Sequence, residues 1–264
     1  MIYTLPYTST GRSAIVPPPP YIYAVDYVAV HVKIDTASSA GLLPPGCKFA
    51  SDDAWLYVSE FISYKEGSED LIAEDPELVT YREGAVALNI ELEGKRYLYF
   101  PFMWVDKDWA LIRGYINGYP KKIAKIEIGK FHPLLANYDA PRPGVKIGGY
   151  VVRGSSLLMK IRVTLRERGD KLPVSNFGPT LTIRRFPSTG EGELDVLEYV
   201  VVEKGENRTA DIWRGDAELV LNSGVNDELN LLHVVKVLGG YFYRSFFKIL
   251  GTRLVKLMYS NSSV

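Results

Sequence analysis

The sequence predicts a mainly β protein, an antiparallel β-barrel or double sheet with a few short helices. Two observations predict it most directly. Leu157, Met159, Ile161, Val163 and Leu165 alternate with Lys160, Arg162, Thr164 and Arg166, the period-two signature of a half-buried antiparallel strand. Elsewhere, runs rich in Tyr, Val and Phe are bounded by turn residues such as Ser188-Thr189-Gly190.

Residues 1–20 end in Pro17-Pro18-Pro19-Pro20, which favours an extended arm packed on the body or on another subunit. Tyr21 to Ile34 reads as a strand, and Thr36 to Leu43 as a short helix stopped by Pro44-Pro45-Gly46. Strands are expected at 54–64, 85–92 and Arg96 to Phe102. Trp109, Ile112 and Ile116 then fall at helical spacing, with Asp106 and Asp108 where carboxylates favour a helix N-terminus. Gly118 and Pro120 stop that helix. From Lys121 to Ile128 the alternation reads as a strand again. Further strands are expected at 180–186, 195–203 and 211–221. Tyr241 to Leu250 is long enough for a helix, but its Tyr and Phe enrichment favours a strand. No fixed-period repeat and no clean linker is present, so residues 1–264 read as one domain with a Pro-rich arm.

The 31 basic and 31 acidic residues balance, so no global field would steer nucleic acid or an anionic membrane. The first ten residues lack the basic start and apolar core of a secretory signal. Leu231 to Met258 is apolar but is interrupted by Lys236, Arg244, Lys248 and Arg253, unlike a simple membrane span. Cys47 is the single cysteine, which excludes an internal disulfide and fits a reducing, cytoplasmic setting. His31, His132 and His233 are too scattered to suggest a metal site. There is no glycine-rich phosphate loop, and Ser155-Ser156 is not framed as a nucleophile elbow.

One segment carries chemistry. Gly118-Tyr119-Pro120-Lys121-Lys122 sets two lysines at a helix-to-strand junction flanked by apolar sequence. A solvated basic turn is the ordinary fate of such a pair. Desolvation there would favour the neutral amine, a competent nucleophile, whereas free lysine stays charged up to about pH 10.4.

At this segment the sequence resembles the acetoacetate decarboxylase family, in which a Tyr-Pro-Lys-Lys segment carries an imine-forming lysine. Tyr81-Arg82-Glu83-Gly84 resembles the family segment with a catalytic glutamate. Trp213-Arg214-Gly215-Asp216-Ala217-Glu218-Leu219 resembles its Trp-x-Gly-x-x-x-Leu strand. The resemblance implies a cofactor-free lyase whose Lys121 forms a Schiff base, with Lys122 as its cationic neighbour and Glu83 as acid/base or orienting group. It also favours strand for Tyr241 to Leu250 and implies a homo-oligomer. Glu60 lies near a second family glutamate, and Phe102 and Met103 lie where the family has an apolar pocket. Tyr119 joins them as a candidate substrate contact. If Lys121 and Lys122 are both extended, their side chains point to opposite faces, and desolvation rather than charge repulsion would activate Lys121.

Two departures bear on the reaction. Val25 stands where the family has an arginine for the substrate carboxylate, and Gly114-Tyr115 replaces a glutamate pattern behind Arg113. Arg113 or Arg12 could fold into the vacant place. The leading expectation is decarboxylation of a β-keto acid. An aldolase-dehydratase using pyruvate-like keto acids is the alternative within the class. A non-enzymatic small-molecule binding barrel is the alternative outside it.

Overall fold

A computed structural model describes residues 3–190 and 195–258. The strands are β1 (Tyr21–Ile34), β2 (Cys47–Lys65), β3 (Thr80–Leu92), β4 (Lys95–Val105), β5 (Lys121–Ile123), β6 (Lys125–Ile128), β7 (Lys146–Arg153), β8 (Ser156–Arg168), β9 (Leu181–Phe186), β10 (Val196–Leu221) and β11 (Val234–Leu257). Two α-helices, α1 (Leu71–Glu74) and α2 (Asp108–Ile116), and a few 3₁₀ turns complete the described residues. Among these residues no helix is long and apolar enough to cross a membrane.

All the strands belong to one sheet in the order β5-β4-β3-β2-β1-β11-β10-β8-β7-β6, with β9 paired to β10 off this path. Its ladders are antiparallel except β4 with β5, which run parallel. The sheet curls into a nearly closed barrel. Its two edge strands, β5 and β6, are consecutive in the chain and separated only by Ala124, whose N–H donates to the Val105 carbonyl at 2.9 Å.

Alternation along the strands sorts the apolar residues into two cores. Val28, Val30, Leu56, Val58, Val86, Leu88, Met159 and Ile161 build an aliphatic core. The other face of β1–β4 is aromatic, with Tyr21, Tyr23, Tyr27, Trp55, Tyr57, Phe61 and Tyr81, and α2 covers part of it through Trp109 and Ala110. Burying one large apolar side chain contributes about 1.5–3 kcal/mol, so both faces stabilise the sheet.

Strand β4 changes face midway. Phe100 belongs to the aromatic core, whereas Phe102 packs against the aliphatic one, because the ladder slips between the pairs Leu88↔Tyr99 and Val86↔Phe102. Pro101 occupies the slip, where a residue without an N–H fits a bulge.

Several expectations need correction. The helix expected at Thr36 to Leu43 is only a 3₁₀ turn, Ala40–Leu42. The strands expected at 195–203 and 211–221 are one strand, β10, with ladder irregularities on either side of Asn207 to Ala210. Strand β7 was not expected at all. Its Gly148-Gly149 pair hides the alternation, and a side chain at Gly149 would lie 2.8 Å from a Val58 methyl. The arm packs on the body: Val16 is fully buried in the aromatic core, and the Tyr21 hydroxyl donates to the Pro17 carbonyl at 2.7 Å.

Candidate active site

The C-terminus of α2 determines where the two lysines emerge. Gly118 N–H donates to Tyr115 O and Tyr119 N–H to Gly114 O, both at 2.9 Å, a Schellman pattern with Gly118 in the left-handed region at φ 82°. A side chain at Gly118 would also collide with the Ile183 backbone. The chain then turns through Pro120 into β5, which pairs with β4 so that Lys121 lies beside Met103.

Gly114 shapes the same corner from the helix side. A Cβ there would fall 2.3 Å from Cδ of Lys121 and 2.8 Å from its Cγ and Cε. The bare glycine surface therefore makes room for the lysine stem. What the sequence presents as a departure is a groove for Lys121.

The ammonium of Lys121 reaches a buried ion pair with Glu83, Nζ to Oε2 at 2.8 Å, with side chains only 8% and 5% exposed. The other oxygen of Glu83 accepts from the Tyr57 hydroxyl at 2.6 Å. Lys121 Nζ also lies 5.1 Å from the centroid of the Tyr81 ring and 5.8 Å from that of Tyr119. Burial, reinforced by the nearby charge of Glu83, pushes the phenols of Tyr57 and Tyr81 well above the ordinary tyrosine value. Tyr57 therefore remains a donor to Glu83 at physiological pH. The pair opens onto a cavity of about 360 Å³ with walls that include Tyr27, Phe100, Met103, Tyr119 and Tyr243. That lies within the ~300–1,000 Å³ range of small-molecule sites.

Lys122 points the other way, as extended geometry predicts. Its Nζ contacts Asp227 at 3.0 Å and the carbonyl of Asn226. Asp227 is 1% exposed and also accepts from Trp104 Nε1 and Arg153, both at 3.0 Å. Burial opposes ionisation of Asp227. Hydrogen bonds from Lys122 and Trp104, with the charges of Lys122 and Arg153, outweigh it and hold the carboxyl below its ordinary range.

Of the remaining candidates, Met103 and Tyr119 line the cavity with Lys121 and Glu83. Phe102 does not, because the Pro101 slip turns it toward the aliphatic core and stacks it on Trp104. Phe100 takes its place. Glu60 also lies outside. Ser59 is the residue paired with Glu83 across the ladder, so Glu60 points to the opposite face, where Lys130 at 2.7 Å and Arg82 at 3.5 Å pair with it. Val25 is buried in the aromatic core between two cavity residues, Tyr23 and Tyr27. Arg113 does not enter the cavity. Its guanidinium lies 4.5 Å from the Tyr21 ring centroid and 4.7 Å from that of Trp109, and it donates to Ser63 at 2.7 Å. Arg12 is exposed on the arm.

Sequence reasoning missed Tyr57, Phe100 and Gly114. Tyr57 shares strand parity with Ser59, the partner of Glu83, so knowledge of that pairing would have exposed it. Pro101 was the available signal for Phe100.

Comparison with known proteins agrees with this architecture. The family model described as Acetoacetate decarboxylase (ADC) matches residues 4–258. An acetoacetate decarboxylase-like enzyme from Sphingomonas wittichii RW1 is 28% identical, with a TM-score of 0.89 over 97% of this chain and 99% of its own. The enduracididine biosynthesis enzyme MppR, solved in complex with pyruvate, is 24% identical with a TM-score of 0.87 over 97% and 98%. Acetoacetate decarboxylase from Legionella pneumophila subsp. pneumophila str. Philadelphia 1 shares the fold at 14% identity, with a TM-score of 0.72 over 91% and 89%. No curated protein matches the sequence. With its two edge strands joined at Ala124 and its lysine pair at that joint, the chain belongs to the acetoacetate decarboxylase family.

Proposed function

We propose that the protein is a lysine-imine lyase acting on a keto acid, with Lys121 as nucleophile and Glu83 as its proton partner. The observation that carries this reading is the buried 2.8 Å Lys121–Glu83 pair opening onto an aromatic cavity. Glu83 accepts a proton from the ammonium, which frees the Nζ lone pair to attack the ketone carbon. The same carboxyl returns the proton to the departing hydroxyl, so that water leaves and an iminium remains. In decarboxylation of a β-keto acid, the bond to the carboxylate then breaks, carbon dioxide leaves, and its electron pair passes into the iminium to give an enamine. Protonation and hydrolysis release the ketone. Tyr57 orients Glu83 by its 2.6 Å hydrogen bond.

A second reading uses the same imine for condensation. Loss of a proton beside the iminium gives the enamine, which attacks an aldehyde; loss of water and hydrolysis then release an enone. Two observations favour it. Val25 offers no cation to a β-carboxylate, and Arg113 is held between Tyr21 and Trp109 outside the cavity. MppR, of the same fold, is described in complex with the condensation product of pyruvate and imidazole 4-carboxaldehyde.

The test of the imine is borohydride trapping with a panel of keto acids, followed by peptide mass mapping. A stable adduct on the Lys121 peptide supports the reading. Adducts on other lysines only, or none, overturn it in favour of a binding barrel. The choice between reactions is read by carbon dioxide release from acetoacetate beside enone formation from pyruvate and an aldehyde. A charge-assisted bond contributes ~1.5–3 kcal/mol, so loss of the arginine should slow acetoacetate turnover by roughly one to two powers of ten. Fast decarboxylation without condensation would refute the second reading.

A further inference from the structure

The cavity has a second charged end. Its ionisable lining beyond the tyrosines consists of Lys121, Glu83 and Lys204. Lys121 and Glu83 neutralise one another, so Lys204 leaves one formal positive charge. Lys204 pairs with no carboxylate among the described residues. Its ammonium lies 5.4 Å from the centroid of Phe247, another cavity residue. The residue is exposed overall, yet desolvation lowers the pKa of its ammonium from the ordinary lysine value, with no acid to offset it. Farther along the same β10–β11 ladder, the cavity residues Thr209 and Ser245 place two hydroxyls 3.3 Å apart.

A continuous floor of rings joins the two ends. Tyr81, next to Lys121, stacks on Phe61 at 4.5 Å. Phe61 meets the edge of Tyr23 at 6.1 Å, and Tyr23 stacks on Phe247 at 4.8 Å. The four rings come from β3, β2, β1 and β11, which are neighbours in the sheet, and Lys204 follows on β10. Three strand spacings cover on the order of 14 Å along this floor. The carboxylate of a three-carbon keto acid held at Lys121 would not reach the other end.

We infer that the cavity takes an elongated carbonyl substrate: its ketone at Lys121, a flat unsaturated or aromatic body on the ring floor, and a carboxylate remote from the ketone bound by Lys204. Flat bodies stack on tyrosine and phenylalanine faces, and an ammonium with no acidic partner matches the acceptor oxygens of a carboxylate. The inference rests on Lys121 as the imine-forming end, so its test separates the two.

Two compounds, 4-phenyl-2-oxobut-3-enoate and its 4-(4-carboxyphenyl) analogue, are titrated in borohydride trapping at Lys121. The carboxyphenyl compound should half-saturate at about tenfold lower concentration, the effect of one charge-assisted hydrogen bond. Lys204→Gln should erase that advantage while leaving the phenyl compound unchanged, and Lys204→Arg should restore it. Equal half-saturation of the two compounds in the unaltered protein, or an advantage that survives Lys204→Gln, overturns the inference. The second arm is calorimetric binding of 4-(hydroxymethyl)benzoate against benzyl alcohol, neither of which can form an imine. Preference for the benzoate that Lys204→Gln removes supports the anionic end even if trapping at Lys121 fails. Lack of such preference overturns it even if trapping succeeds.

Discussion

Lys121 and Lys122 each pair with a buried carboxylate, and the two carboxylates differ in how fully they are occupied. Asp227 accepts from Lys122, Trp104 and Arg153. Glu83 accepts from Lys121 and Tyr57 and faces a cavity. A carboxylate offers about four acceptor sites, so Asp227 is nearly saturated as an anion while Glu83 keeps capacity toward a ligand. The first arrangement locks a charge, and in the proposed reaction the second leaves a proton free to move. Burial alone does not separate the two ion pairs; the number of donors and the space around them do.

The sharpest way to break this contrast is to exchange the lysines' fates. Lys121→Met should abolish the borohydride-trapped adduct, whereas Lys122→Gln should leave the trapping rate within about an order of magnitude, since its charge points away from the cavity toward Asp227. Equal loss in both variants would mean that repulsion between the two cations governs the nucleophile. Glu83→Gln comes next. Loss of a general acid–base group should slow imine formation by about 10²–10⁴-fold, read by single-turnover trapping, with the fold intact by circular dichroism.

On the structural side, Asp227→Ala should destabilise the protein by about 3–5 kcal/mol in denaturant melts, because removing one partner of a buried pair strands the others. The pH dependence follows from its depressed carboxyl. Its contribution is fully present above the unfolded-state value of about 3.9 and is lost as pH falls through the lower folded-state value. Acid melts of the unaltered protein should therefore show a loss below about pH 4 that the variant lacks. Gly114→Ala should have the smallest effect on stability, an overpacking penalty of about 1–3 kcal/mol. It should nonetheless reduce the trapping rate, because the added methyl occupies the path of the Lys121 stem.

The elements that read well from sequence were those with unbroken alternation. Tyr21 to Ile34 emerges as β1 with unchanged bounds, and the strand centred on Met159 and Ile161 is β8. The positions of Lys121 and Glu83 were legible because short motifs and strand parity single them out, whereas Met103 was named together with Phe102 from the resemblance alone. Glu60 and Phe102 were misplaced for related reasons. Each lies one residue from the position that faces the cavity, and a single step in a strand reverses the side chain. The pairing Ser59↔Glu83 and the slip at Pro101 decide those positions, and both are properties of strand partners rather than of one strand. Tyr57 and Gly114 were invisible for a similar reason, since their importance comes from Glu83 and Lys121 across a ladder and a helix boundary.

The extra residue in β4 also makes the cavity wall behave like a reading frame. Up to Phe100 the even-numbered side chains face the cavity; beyond Pro101 the odd-numbered ones do. If β4 ran through Pro101 without the slip, the first phase would continue through the second half, and the side chains at 102 and 103 would exchange faces without a single substitution. Phenylalanine would then stand beside Lys121 in place of methionine, narrowing the room for a ligand. This stretch of β4 thus holds two alternative linings, separated by one residue of strand register.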